Sequence, residues 1–154
     1  MMKRFLGILV LGLLWCNFSN AGSMIPLKTY VKNNSEYLDD PITYTYVINR
    51  CAANHLYAAA INHKKYPKTA AVFLKSYAVL VTFSTNILVR KLNYTKEDAE
   101  EKTKNEADKM FDLYSKDGDE SYVRTGTYMM NNYIGEDGAY CKGFADLINE
   151  LFKK

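Results

Sequence analysis

Cys51 and His55 stand four residues apart, so a helix carrying them presents both on one face. With Cys141 brought alongside, that face offers either a thiolate–imidazole pair or three ligands of a metal site. Both chemistries meet an obstacle in the same residues. Thiol chemistry needs a free, activated sulfur, and a Cys51–Cys141 bond consumes both sulfurs. A tetrahedral zinc site needs a fourth ligand, and the other histidine, His63, lies more than two turns further along the same helix. The expectation is therefore a disulfide between Cys51 and Cys141, no metal, no cofactor, and His55 as a core or boundary histidine. Glu106, Asp108 and Asp112 read as a solvated acidic face rather than as paired catalytic carboxylates. There is no serine-centred nucleophile motif, glycine-rich phosphate loop or dinucleotide fingerprint. No catalytic residue is assigned, although an active site can still be assembled in space.

The run Ser115-Lys116-Asp117-Gly118-Asp119-Glu120 has the composition of a calcium loop but not its spacing. With Gly118 at loop position six, Leu113 occupies position one and Arg124 position twelve, where carboxylates are required. The run is read as a turn. The 13 tyrosines are a better functional pointer, because tyrosine joins an apolar body to a polar tip and suits interfaces as well as the edge of a small core. Tyr122, Arg124, Tyr128, Asn131 and Tyr133 form the expected surface for a ligand or partner.

The elements that must position these residues begin after an export signal. Lys3 and Arg4 precede an apolar core of 11 residues, 5–15, and Ser19 and Ala21 are small residues spaced for cleavage before Gly22. The core is too short to span a bilayer. Trp15 is a poor neighbour for a lipid-bearing Cys16. Residues 1–21 are thus read as a signal peptide and the location as periplasmic or secreted, where an even cysteine count is usually a bridge count. Losing Lys3 and Arg4 lowers the formal net charge from +3 to +1. The remaining charge is uneven: residues 22–91 hold nine Lys/Arg against three Asp/Glu, and residues 92–120 hold five against ten. A basic and an acidic helix packed as neighbours explain this. No coherent basic surface for nucleic acid is expected.

Residues 22–40, with Pro26, Asn33 and Asn34, read as an extended lead-in, and residues 41–154 as a single helical domain. Asn33-Asn34-Ser35 and Asn93-Tyr94-Thr95 are formal glycosylation acceptors. Asp39 or Asp40 caps a first helix with Pro41 in its first turn, and Tyr44, Val47 or Ile48, Cys51, His55 and Ala58 recur at helical spacing. Pro67 opens an apolar segment, 70–89, read as a central helix buried on most sides, with buried strand as the alternative. Thr95 and Asp98 make a capping box for a helix over 96–114, followed by the turn, a short helical candidate over 122–133 and a second turn at 135–138 with Asp137 as a cap. Cys141, Phe144 or Ala145, Ile148 and Leu151 or Phe152 then form an amphipathic stripe. The fold class is all-α: a four- to five-helix bundle with one disulfide joining the first and last main helices.

NRCAANHLYAAA, YVRTGTYMMNNY and YCKGFADLI together resemble a group of small exported helical proteins encoded by marine bacteria and their phages. The group has no assigned activity, so the resemblance implies a compartment and a helical fold but no functional residues. A looser architectural likeness is to small periplasmic acid-stress chaperones, which are helical and held by one disulfide. The expected function is a non-enzymatic exported binding protein of chaperone, adaptor or inhibitor type, with a protein or small-molecule partner and membrane contact only during export. The alternatives are a small extracytoplasmic enzyme with a His55-lined cleft between the first and last helices, and a membrane-associated structural protein resting on residues 70–89.

Overall fold

The computed structural model describes residues 24–151; the signal-peptide expectation for residues 1–21 lies outside them. Five helices follow in order: α1 (Leu27–Asn33), α2 (Pro41–Asn62), α3 (Pro67–Leu92), α4 (Lys96–Thr125) and α5 (Tyr133–Leu151). The chain is an all-α five-helix bundle, and a Cys51–Cys141 disulfide ties α2 to α5 with a Cα–Cα separation of 5.1 Å.

Helix α2 is the element on which the others pack. Asp40 caps it by accepting from the backbone N–H groups of Ile42 and Thr43 at 3.2 and 3.1 Å, and Pro41 supplies the preset φ of a first helical position. Ala52, Ala53, Ala58 and Ala59 are buried. Their short side chains let α3, α4 and α5 approach the α2 backbone. Two apolar clusters result. One surrounds the disulfide with Leu27, Val47, Ile48, Leu80 and Ile148; the other joins Ala53, Tyr57, Met110, Tyr114, Tyr133 and Ile134.

Helix α4 begins as its sequence indicates. The Thr95 Oγ1 accepts from the Asp98 backbone N–H at 3.1 Å, and the Thr95 hydroxyl donates to the Asp98 carboxylate at 2.7 Å. Ala99, Thr103, Ala107, Met110 and Tyr114 are its buried face.

Five expectations need correction. The short helix expected over residues 122–133 is instead the end of α4, a loop over residues 126–132 and the start of α5. The lead-in is not extended: α1 occupies Leu27–Asn33, because Leu27 is buried and its backbone N–H is held by Asp137 at 2.6 Å. The expected turn over residues 115–120 is continuous helix, and α4 runs on to Thr125, where Gly126 at φ 74° ends it in the left-handed conformation glycine accepts without strain. Gly118 is needed inside that helix because an added Cβ would lie 1.8 Å from the Tyr57 hydroxyl. The expected turn over residues 135–138 lies within α5, where Asp137 is buried instead of capping. Finally, α3 is helical but not buried on most sides. Its core contacts are Ala70, Leu80, Ser84, Thr85 and Leu88, and only 22% of its most apolar 18-residue stretch is buried.

Candidate functional site

The bundle's centre is polar. Arg50 is fully buried on α2, one residue before the disulfide, and Asp137 is fully buried on α5. Asp137 Oδ2 accepts from Arg50 Nε at 2.9 Å, from Arg50 Nη2 at 2.6 Å and from the Tyr114 hydroxyl at 2.6 Å. Its Oδ1 takes the Leu27 N–H. Arg50 Nη2 also donates to the Ile25 carbonyl, and Nη1 reaches the Tyr46 hydroxyl at 3.4 Å. The guanidinium carbon lies 5.9 Å from the Tyr133 ring centroid, within cation–π range. Helices α2, α4 and α5 and the segment leading into α1 therefore converge on one carboxylate.

Burial and the neighbouring carboxylate fix the protonation states. Desolvation, with the Asp137 charge added, raises the Tyr114 pKa well above the ordinary phenol value, so Tyr114 remains a donor. Burial disfavours the Arg50 charge, but Tyr114 and Asp137 outweigh it and the net shift is upward. Arg50 Nε and Nη2, the Tyr114 hydroxyl and the Leu27 N–H are all matched to acceptors, the pattern of a structural network.

The residues expected to form the binding surface divide into two sets. Tyr122 is 48% exposed and stacks on Tyr128 with ring centroids 4.3 Å apart and planes at 14°. Arg124 and Asn131 are exposed, and Asn131 adopts φ 60° in the loop joining α4 to α5. Tyr133 points inward instead: it is buried, stacks near Tyr114 and donates to Asp117 Oδ2 at 2.6 Å. Burial first, then the bond to Asp117, raises its pKa, so it too stays a donor.

Asn132 organises this corner. Its Oδ1 accepts from the Ile134 and Gly135 N–H groups at the start of α5, at 3.1 and 3.2 Å. Its Nδ2 donates to Ser121 Oγ and to the Tyr128 carbonyl, each at 3.0 Å. The loop is thereby pinned to both helices it connects.

Two clefts flank it. One of about 350 Å³ is lined by Met24, Pro26 and Met130 together with the polar Glu120, Arg124 and Glu136 among others. The other, about 330 Å³, includes Tyr57, Ile61, His63, Lys64, Asp119 and Tyr128. The aromatic stack thus contributes a wall to the second cleft through Tyr128, while Arg124 and Asn131 line the first.

The chemistry first considered for Cys51 and His55 is not assembled. Both sulfurs are bonded. His55 is 4% exposed, packs edge-to-face on Phe73 at 5.5 Å, and has no hydrogen-bond partner at Nδ1. Burial lowers its pKa, with the Asp146 charge acting in the opposite direction. His55 lines none of the clefts described. Among the described residues no group of three or more His, Cys, Asp or Glu side chains is placed to hold a metal ion. Glu106, read as part of a solvated face, instead bridges helices: it accepts from Asn49 Nδ2 at 2.8 Å and pairs with Lys102 at 2.7 Å.

The residues that sequence reasoning missed are Arg50, Tyr114, Asp117 and Asp137. A signal for the first was present. An arginine adjoining Cys51 on an alanine-rich helix is bound for the interior, and a buried guanidinium requires an acid. Comparison of the chain with protein-family models, curated proteins and solved structures gives no match.

Proposed function

We propose that the protein is a non-enzymatic exported binding protein, of the chaperone, adaptor or inhibitor kind, that engages its partner through the α4–α5 corner. The observation that carries this reading is the Tyr122–Tyr128 stack, with Tyr122 exposed and Tyr128 half-buried, beside two clefts and a loop that Asn132 fixes to both helices. Aromatic rings on a rigid support are enriched among the anchors of protein interfaces, and rigidity limits the entropy lost on binding. Arg124 and Asn131 line the neighbouring cleft. The tyrosines turned inward, Tyr114 and Tyr133, support the same corner from beneath. The export part of the proposal rests on the N-terminal sequence and on the cysteine pairing.

A cleft built around His55 finds no support, since that ring is packed against Phe73 and lines no described cleft. The test of the leading reading is affinity capture from the native compartment, comparing the unmodified protein with a Tyr122→Ala/Tyr128→Ala variant. The expected result is a partner retained by the first and lost by the second, with equal helicity in both and both folded at the capture temperature. Equal capture by both proteins removes the α4–α5 corner as the binding surface.

A further inference from the structure

The segment that leads into α1 is held at two points by the buried ion pair. Asp137 Oδ1 accepts the Leu27 N–H at 2.6 Å, and Arg50 Nη2 donates to the Ile25 carbonyl. Its course back to Met24 is therefore set from the centre of the bundle. Met24, half-buried, and Pro26 line the cleft of about 350 Å³ at the α4–α5 corner.

The charged residues of that cleft are Asp117, Glu120 and Arg124 from α4 and Glu136 from α5, three carboxylates against one guanidinium. Asp117 Oδ2 already accepts from the Tyr133 hydroxyl, and Arg124 Nε donates to the Glu120 carbonyl at 3.4 Å. The side chains of Glu120 and Glu136 are exposed, and neither is in an ion pair among the described residues. They are the carboxylates able to meet a further cation.

The chain carries such a cation to this place. Cleavage before Gly22, to which the small residues Ser19 and Ala21 point, leaves Gly22 and Ser23 ahead of Met24. Two residues reach at most about 7 Å. The new α-ammonium group is thereby tethered beside a cleft wall, at an effective concentration on the order of millimolar or higher. Gly22 and Ser23 are small and bring no charge of their own to compete with it.

We propose that the α-ammonium group of the processed chain seats in this cleft against Glu120 and Glu136. In the precursor the same nitrogen is a neutral amide with residues 1–21 attached, so removal of the signal supplies the corner's missing cation. This deepens the proposed function by tying the state of the α4–α5 corner to processing, and it rests on the export part of that reading.

The experiment is an NMR titration of the secreted protein, labelled with ¹⁵N-glycine and its N-terminus read by mass spectrometry. An ordinary α-amino group titrates at about 7.7–8.0. Neighbouring carboxylates favour its charged form, so the Gly22 amine should titrate roughly half a pH unit or more above that range. Glu120→Gln/Glu136→Gln should return it to the ordinary range with helicity unchanged. Inserting Gly-Ser-Gly-Ser between Ala21 and Gly22 carries the ammonium away from the cleft, so its titration should be ordinary as well. An ordinary value in the unmodified protein that begins at Gly22 overturns the inference and leaves export intact. So does a raised value that persists in Glu120→Gln/Glu136→Gln. A mature N-terminus elsewhere removes the cleavage site and the inference together.

Discussion

Replacing Asp137 by asparagine keeps the side chain's shape and removes its charge. The aspartate accepts four hydrogen bonds: from the Leu27 N–H, from Arg50 Nε and Nη2, and from the Tyr114 hydroxyl. In asparagine one oxygen becomes an NH₂ group, so at least one of these donors faces another donor, and the buried guanidinium loses its counter-charge. Breaking a buried pair by removing one partner costs about 3–5 kcal/mol. Orphaned donors contribute to that cost and are not added separately. Against a total stability of about 5–15 kcal/mol for a domain of ordinary size, a large share of the folding free energy is lost. At about 4 °C per kcal/mol for a chain of this length, the melting temperature should fall by about 12–20 °C. The assay is urea unfolding followed by circular dichroism with the disulfide intact. An Arg50→Met/Asp137→Leu double variant removes both charges, so it should lose less than the two single variants (Arg50→Met, Asp137→Leu) combined, giving a favourable coupling energy. A loss below about 1 kcal/mol for Asp137→Asn, or strict additivity in the cycle, would refute the network as the bundle's central tie.

Three further outcomes follow from particular contacts. Gly118→Ala should destabilise by about 1–3 kcal/mol in urea unfolding despite alanine's better helix propensity, because its Cβ would meet the buried Tyr57 hydroxyl; Tyr57→Phe, which deletes a buried hydroxyl without a partner, should be neutral or stabilising. Cys51→Ala/Cys141→Ala should cost about 4–5 kcal/mol by chain entropy, since the bridge joins residues 90 apart; an unchanged denaturation midpoint would contradict this. His55 has a folded pKa below its unfolded value, so the unfolded chain binds the proton first and stability is lost as pH falls below about 6.5. This contributes at most about 1.4 kcal/mol per pH unit. His55→Phe should flatten the pH dependence of unfolding free energy in that window, and identical slopes would remove His55 as a contributor.

The parts of the fold legible in the sequence are those decided locally or by one strong constraint. Thr95 and Asp98 announced the start of α4 because a capping box is a short-range hydrogen-bond pattern. Cys51 and Cys141 were matched because two cysteines left after an expected export signal usually form a bridge, and Cys141 falls on an amphipathic stripe. What sequence left hidden was settled by contacts distant in the chain. Gly118 within a run of charged residues resembles a turn, yet close approach of Tyr57 to the backbone of α4 requires a residue without a side chain there. Asp137 beside Gly138 resembles a cap, but its partners lie 87 and 110 residues away, at Arg50 and Leu27. The apolar 70–89 segment has the composition of a buried helix, while the bundle supplies neighbours for only one side of it. At the candidate site, Tyr122 and Tyr128 were identified by residue type, whereas the inward turn of Tyr133 depended on Asp117 meeting its hydroxyl from α4.

The central claim is that the α4–α5 corner binds a partner and is separable from the network that holds the bundle together. Titration calorimetry of a captured partner against Tyr128→Ala and Arg124→Ala tests it most directly, with thermal melting run on the same samples. Affinity should fall roughly thirtyfold or more for Tyr128→Ala, the scale of an interface hot spot, and measurably for Arg124→Ala, with any change in melting temperature too small to account for the loss. Unchanged affinity in both variants, or weakened binding only in proportion to lost stability, would contradict the account.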